Sequence, residues 1–195
     1  MDKQKAKRQQ ILEASVRVIA ENGYYKSRIS SIAKKAGVAD GTIYLYFKNK
    51  EDLLISLFED IMGTFVAAAE HVINSEEAAA AQLGSLVRHH FDYLGTRPQL
   101  ALLTQLELRQ SQADLRWKIS KILEPYLLLI ERIAAYGMEN GEFKNTLEPK
   151  LCRQMIFGTM DQVVTSWVMN GMKGNLNDQA EPVLEMLQGA VCKQV

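Results

Sequence analysis

Residues 32–47 read IAKKAGVADGTIYLYF, and this stretch decides how the N-terminal part of the chain folds. The small side chain of Ala33 lets two helices cross closely, and Gly37 suits a turn conformation that only glycine adopts without strain. Val38 and Ile43 are spaced to fill the angle between the two helices. The stretch therefore has the parts of a helix-turn-helix.

Signals on either side set the limits of this motif. The two helices of the motif are predicted from Ser30 to Ala36 and from Asp40 to Phe47. An earlier amphipathic helix closes at Asn22-Gly23, a pair that suits a left-handed C-terminal cap. Asn49 stands three residues before Asp52, the arrangement of an N-cap with a reciprocating acid, so a long fourth helix begins there.

The rest of the chain shows the same helical periodicity. Gly and Pro are sparse, β-branched alternation is almost absent, and 47% of the residues are hydrophobic, which predicts an all-α protein with a packed core. Pro125 falls inside a long seventh helix, where we expect a kink. Glu148-Pro149 predicts the start of an eighth helix that stops at Asn170-Gly171, and a ninth follows over 179–192.

Charge divides the chain into two parts. The net charge is zero, but residues 1–50 carry 11 Lys and Arg against 4 Asp and Glu, and residues 51–195 carry 12 against 19. A basic segment joined to an acidic body is expected if only the first part contacts phosphate, although a solvated basic face reads the same way. We predict a DNA-binding domain over residues 1–50 and a second domain over 51–195.

The second helix of the motif is free to present polar side chains to DNA. Its residues suit base edges, thymine methyls and phosphates, and the start of the preceding helix approaches the backbone. Lys50, at the N-terminus of the fourth helix, combines its ammonium with helix-end amides as a phosphate clamp. The predicted DNA contacts are Arg28, Ser30, Gly41, Thr42, Tyr44, Tyr46 and Lys50.

Six ordered segments carry a resemblance to the TetR family of regulators and cover about residues 8–60. They are 11–15, 21–24, 32–33, 37–38, 41–47 and 48–54. The resemblance implies a three-helix DNA-binding domain, a ligand-binding domain of about six helices, and a homodimer formed through the last two helices. Two such helix-turn-helices in a dimer, about 34 Å apart, require palindromic operator DNA.

Two positions depart from the common family pattern. Many members have Ser where this chain has Ala39 and Thr where it has Arg28, so we expect the cap of the recognition helix to shift toward Asp40. Tyr24 and Phe47 belong to the resemblance too, but aromatic residues beside Ile and Val pack in cores, and we expect both to be buried.

Three later segments, 102–111, 115–119 and 153–161, resemble the fatty-acid-degradation regulators of the TetR family, the FadR type. The resemblance implies that long-chain acyl-CoA is the effector ligand and that its binding releases the operator. Flexible apolar side chains suit an acyl chain, and the basic residues at 109, 116, 118 and 121 suit CoA phosphates. The predicted ligand-binding residues are Leu106, Arg109, Arg116, Met155, Thr159, Met160 and Val164. Alternatively, Arg109 pairs with Glu107 or Asp114 on the surface.

The last two predicted helices present more apolar surface than one chain covers, which a two-fold four-helix interface would bury. The residues that contribute to this excess are Leu151, Met155, Ile156, Val163, Trp167, Val183, Leu187 and Val191.

Other classes of protein fit the sequence less well. His71, His89 and His90 lie without a placed nucleophile or metal-ligand spacing, so no enzyme, metal or cofactor is predicted. Cys152 and Cys192 suit buried thiols. No segment is apolar enough to span a membrane and none resembles an export signal, so we expect a cytoplasmic protein. A multidrug-efflux repressor, with Asp161 as the buried acid of an aromatic pocket, and a helical adaptor that never contacts DNA remain alternatives.

Overall fold

The computed structural model describes residues 3–193, and over this range the chain forms nine α-helices and one short 3-10 helix. The helices are α1 Lys3–Asn22, α2 Ile29–Ala36, α3 Asp40–Tyr44, α4 Lys50–Ile73, α5 Ala79–Gly95, α6 Pro98–Glu107, α7 Ala113–Glu139, α8 Pro149–Met169, the 3-10 helix Leu176–Gln179, and α9 Ala180–Val191. The described residues contain no strand beyond one bridge between Phe143 and Cys192. The all-α prediction is confirmed.

The helices group into two compact units. Unit 1 comprises the described residues up to Ile61 together with Gln99–Ile122, and unit 2 comprises Met62–Pro98 and the described residues from Leu123 onward. Both α4 and α7 therefore contribute residues to each unit. The boundary predicted at residue 50 stays a prediction.

Unit 1 contains the predicted helix-turn-helix. Ala33 and Ile43 are fully buried where α2 meets its neighbours α1 and α3. Gly37 adopts a φ of 64°, and the amide of Val38 donates to the carbonyl of Ala33 over 3.0 Å. This is the left-handed helix end that Gly37 predicts, because a residue with a Cβ adopts this φ only with strain.

The start of α4 has the predicted reciprocal cap. The amide of Asp52 donates to Oδ1 of Asn49 over 2.8 Å, and Oδ2 of Asp52 accepts from the amide of Lys48 over 2.8 Å. The Asp52 amide is one that the helix leaves without a carbonyl partner, and the Lys48 amide belongs to the segment just before the helix. Pro149 begins α8 after Glu148, also as predicted.

Two details of α3 differ from the prediction. The helix ends at Tyr44 rather than Phe47, because the amides of Leu45 and Tyr46 already bond to carbonyls three residues back, in a tighter turn. The cap does not shift to Asp40. Ala39 is the N-cap residue, with extended backbone and no side-chain bond, so Asp40 lies inside the first turn, where a carboxylate favours the helix N-terminus.

Unit 2 is built on α5, which packs against α8, α9 and the 3-10 helix. The C-terminal part of α7 joins this core where Gly137 faces the fully buried ring of Phe143. Any Cβ at position 137 would overlap that ring, so the contact requires glycine. The helix α7 runs through Pro125 without a break, and the kink expected there stays a prediction.

Some of the apolar side chains that were predicted to face a partner from the last two helices are buried within the chain. The structure buries Ile156, Val183, Leu187 and Val191 within the chain, because α8 and α9 pack on each other and on α5. The large apolar residues that α8 and α9 expose are Leu151, Met169 and Met186.

None of the helices between residues 3 and 193 combines the length and apolar character needed to cross a bilayer.

Candidate functional site

The predicted DNA contacts of unit 1 lie on or beside the short helices α2 and α3, except Lys50, which begins α4. Arg28 is the N-cap residue of α2 and Ser30 follows in its first turn, and both side chains are exposed. On α3 and just after it, Gly41 and Tyr44 are exposed, the latter at 57%, whereas Thr42 is half-buried. Tyr46 is also half-buried, in the turn after α3. Tyr44 therefore has the ring surface and hydroxyl that a base edge or phosphate contact requires.

The charge of this segment favours phosphate. Between Tyr24 and Asn49 the sequence has one acidic residue, Asp40. The basic residues of the same segment are Lys26, Arg28, Lys34, Lys35 and Lys48, and all are exposed. A surface with this imbalance attracts the DNA backbone independently of sequence.

Lys50, the next basic residue after this segment, contacts the turn that follows α1. Its Nζ donates to the backbone carbonyl of Tyr25 over 3.1 Å and lies 4.6 Å from the centre of the Tyr24 ring. Burial lowers the pKa of Lys50, and the nearby Glu107 carboxylate opposes that shift. The predicted phosphate clamp at Lys50 stays a prediction.

Glu107 is a residue whose role the sequence did not reveal. The alternative interpretation of Arg109 places Glu107 on the surface, but Glu107 is only 6% exposed, and its Oε1 accepts from the backbone amide of Tyr24 over 2.8 Å. Its Oε2 accepts from Nε2 of Gln110. A carboxylate on α6 therefore holds the turn between α1 and α2, just after Gly23, whose φ is 74°. The two bonded residues are 83 positions apart, so no local pattern indicates the contact.

Three predicted ligand-binding residues, Leu106, Arg109 and Arg116, lie in unit 1. Leu106 and Arg109 line a cleft of about 340 Å³ between residues 22–26 and 106–111. Nη1 of Arg109 lies 3.3 Å from Oε1 of Gln105. Nη1 of Arg116 donates to the carbonyls of Gln110 and Ser111 over 2.9 and 3.1 Å, so this side chain holds the segment between α6 and α7.

Lys118, which belongs to the same basic group in the sequence, is engaged within unit 1. Its Nζ lies 2.6 Å from Oδ2 of Asp114 and 2.8 Å from Oε1 of Glu51, and these bonds raise the pKa of Lys118. Glu51 stands in the first turn of α4, so Lys118 connects the start of α7 to the start of α4.

The other four predicted ligand-binding residues lie on α8 in unit 2. Met160 and Val164 are fully buried, and Met155 and Thr159 are half-buried. Oγ1 of Thr159 donates to the carbonyl of Met155 over 2.8 Å, so its hydroxyl proton is used within the helix. Met160 and Val164 thus offer only apolar surface.

Unit 2 also contains an aromatic cluster that no pattern in the sequence predicts. The ring of Phe65 lies 4.8 Å from that of Tyr126 and 5.0 Å from that of Tyr93. His90 stacks on Tyr126 at an interplanar angle of 12°, and Phe157 meets Tyr126 edge-on. These residues come from α4, α5, α7 and α8, and their spacing along the chain gives no shared signal.

Comparison with known proteins identifies the family. The model of bacterial regulatory proteins of the tetR family matches residues 11–57, and that of the YsiA-like protein C-terminal region matches residues 58–190. The chain belongs to the TetR family. It is a TetR-type DNA-binding regulator, and the family is one of transcriptional regulators. The resemblance that the sequence motifs carry is confirmed.

Relatives within the TetR family include fatty-acid regulators. The fatty acid metabolism regulator protein of Bacillus subtilis is 50% identical over 191 residues, 98% of each chain. The solved structure of FadR from Bacillus subtilis in complex with stearoyl-CoA is 52% identical, with a TM-score of 0.90 over 92% of this chain and 96% of that one. The fatty acid degradation regulator FadR from Bacillus halodurans is 49% identical, with a TM-score of 0.90 over 93% and 97%. The predicted similarity to FadR-type regulators is confirmed.

The bond between Glu107 and the Tyr24 amide gives a test of stability. Replacement of Glu107 by Leu leaves a buried amide without an acceptor, which costs about 1–3 kcal/mol in the free energy of unfolding measured with urea. Glu107→Gln keeps the acceptor, and Oε1 of Gln110, which is buried without a partner among the described residues, is available to accept from the new amide. Equal stability of the two variants would contradict the role of this bond.

Proposed function

We propose that the protein is a transcriptional repressor of fatty-acid degradation genes, which binds palindromic operator DNA as a homodimer and leaves it when a long-chain acyl-CoA binds. The observation that carries this proposal is the 52% identity, at a TM-score of 0.90, to a FadR that binds stearoyl-CoA. Because the operator is genomic DNA, the protein would act in the cytoplasm. No catalytic step enters the proposal.

Residues 1–50 would form the DNA-binding domain, with α3 in the major groove. In this arrangement Thr42 and Tyr44 would contact base edges, and Arg28 and Ser30 would contact the backbone beside them. Gly41 faces open space, since a Cβ at that position meets no described atom within 4 Å. Because glycine has no side chain there, the DNA could approach the helix closely. Tyr46 and Lys50 complete the proposed set.

Residues 51–195 would bind the ligand and form the dimer. The acyl chain would contact Met155, Thr159, Met160 and Val164 of unit 2, and each buried methylene contributes about 0.8 kcal/mol. In unit 1, Leu106 would add apolar contact. Arg109 and Arg116 are the proposed cations for CoA phosphates, since guanidinium groups form paired hydrogen bonds with phosphate oxygens.

The homodimer would form through the exposed faces of α8 and α9. Leu151, Gly158 and Met169 share one face of α8, since 7 and 18 residues correspond to about two and five helical turns. A Cβ at Gly158 meets no described atom within 4 Å, so a second helix could approach closely there. Met186 adds an exposed apolar side chain on α9.

Release of DNA requires that the acyl-CoA prefer a conformation that does not fit the operator. A typical coupling of about 1–3 kcal/mol per site changes DNA affinity by about 5- to 150-fold. The ligand achieves this only through contacts that differ between the two conformations.

A second class of ligand is favoured by the aromatic cluster of unit 2. Asp161 is buried and its charge raises the pKa of Tyr126, after the larger effect of burial, so the carboxylate lies near the cluster. Rings beside a buried acid suit an aromatic cation, the ligand of an efflux repressor. Binding of ethidium that Asp161→Asn abolishes, with no binding of palmitoyl-CoA, would favour this alternative.

The DNA-binding face is tested by salt dependence. Arg28→Ala should lower operator affinity and reduce the slope of log affinity against log salt by about 0.9, the contribution of one phosphate contact. The operator is first selected from a random-sequence library, and Lys173→Ala, an exposed cation of unit 2, is the control. A slope that Arg28→Ala leaves unchanged would exclude a phosphate contact by this side chain.

The effector is tested by titrating palmitoyl-CoA into a labelled operator complex. We expect operator affinity to fall by at least fivefold at saturating palmitoyl-CoA. CoA alone is the control, because it lacks the acyl chain that supplies the apolar contact. Unchanged operator affinity, with palmitoyl-CoA bound, would remove acyl-CoA as the effector.

The dimer is tested by adding bulk to the exposed face of α8. Gly158→Arg should convert a dimer to a monomer in sedimentation analysis without loss of helix content, since the position is open within the chain. Gly63→Arg, at an equally open glycine of α4, is the matched control and should stay dimeric. A Gly158→Arg dimer of unchanged affinity would place the interface elsewhere.

A further inference from the structure

His90 leaves one buried nitrogen unsatisfied in the core of unit 2. The residue is 5% exposed, and its Nδ1 lies 2.9 Å from the hydroxyl oxygen of Tyr126. Its Nε2 is fully buried and has no hydrogen-bond partner among residues 3–193. A buried polar atom without a partner lowers the stability of the fold by about 1–3 kcal/mol, so the presence of this nitrogen calls for a physical explanation.

The Tyr126 hydroxyl decides which nitrogen of His90 carries the proton. If Nδ1 held it and donated to Tyr126, the phenol proton and Nε2 would both be buried without partners. If instead the phenol donates to Nδ1, only the Nε2–H remains unsatisfied. The second arrangement leaves fewer unsatisfied groups, so the orphan atom is a donor.

The surroundings of His90 keep its ring neutral. Burial, with a smaller contribution from the neighbouring His89, lowers the pKa of His90 to about 3. The rings of Phe65, Phe91 and Tyr126 surround it at centroid distances of 5.6–6.0 Å. The donor therefore faces an apolar environment, which suits a neutral acceptor and excludes a phosphate because a phosphate would lose its hydration there.

We infer that the Nε2–H of His90 is a ligand-binding donor that bonds to the thioester carbonyl oxygen of a bound acyl-CoA. The inference rests on the proposed function, because it takes an acyl-CoA as the ligand. Among the groups of such a molecule, the thioester carbonyl is a neutral acceptor directly joined to the apolar chain. A hydrogen bond to it satisfies His90 and fixes how far the acyl chain enters unit 2.

The first experiment compares palmitoyl-CoA with S-hexadecyl-CoA, the thioether that lacks the carbonyl oxygen, by calorimetry. Wild-type protein should bind the thioester about five- to tenfold more tightly, the contribution of one neutral hydrogen bond. Equal affinities would overturn the inference while leaving the proposed function intact. Binding of neither ligand would overturn both.

The variants assign the discrimination to His90. The double variant His90→Phe with Tyr126→Phe removes both hydrogen-bonding partners, so no polar group of the protein is stranded, and it should lose the preference for the thioester, whose carbonyl no longer finds a donor. His89→Phe is the matched control, since His89 Nε2 already lies 3.2 Å from the carbonyl of Phe65, and it should retain the preference for the thioester. A preference that survives in the double variant would contradict the role of His90.

A measurement on the wild-type protein does not depend on whether the variants fold. The chain has three histidines, so their ring nitrogens are resolved in a ¹⁵N NMR spectrum of the full chain. We expect the proton of His90 on Nε2, and its signal should move downfield with palmitoyl-CoA but not with S-hexadecyl-CoA. A proton on Nδ1, or equal shifts with both ligands, would overturn the inference and indicate a buried water as the partner of Nε2.

Discussion

A buried carboxylate holds the turn that enters the DNA-binding helices. Glu107, at the end of α6, accepts the amide of Tyr24, and Lys118 on α7 binds Glu51 at the start of α4. In the sequence, α2 and α3 lie between Tyr24 and Glu51, and several of the proposed DNA contacts lie on these two helices. Movement of α6 away from the turn would leave the Tyr24 amide without its acceptor, at a cost comparable to a typical coupling energy. Contacts from α6 and α7 therefore hold the two ends of the segment that contains the recognition helix.

Local patterns predicted the parts of the structure that local interactions determine. Gly37 marked the left-handed turn, and Asn49 with Asp52 marked the start of α4, because each signal and its hydrogen bonds lie within a few residues. The contact of Glu107 with Tyr24 spans 83 positions and that of Lys118 with Glu51 spans 67. An acidic residue on a helix reads as solvent-exposed unless its distant partner is known, so neither contact was predicted.

Prediction in the second domain was limited because the sequence does not show which surface buries an apolar side chain. Apolar periodicity found α8 and α9, but it does not distinguish residues that face their own chain from residues that face a partner. Ile156 and Leu187 face the chain, whereas Leu151 and Met186 are exposed. The cluster around His90 escaped prediction because rings from four helices meet there only after folding.

The proposed switch requires that ligand and operator oppose each other, and thermodynamic linkage makes this opposition reciprocal. The direct measurement is the affinity of palmitoyl-CoA for the protein with and without saturating operator. We predict that the operator weakens palmitoyl-CoA binding by the same factor by which palmitoyl-CoA weakens operator binding. Equal palmitoyl-CoA affinities in the two conditions would contradict the coupling.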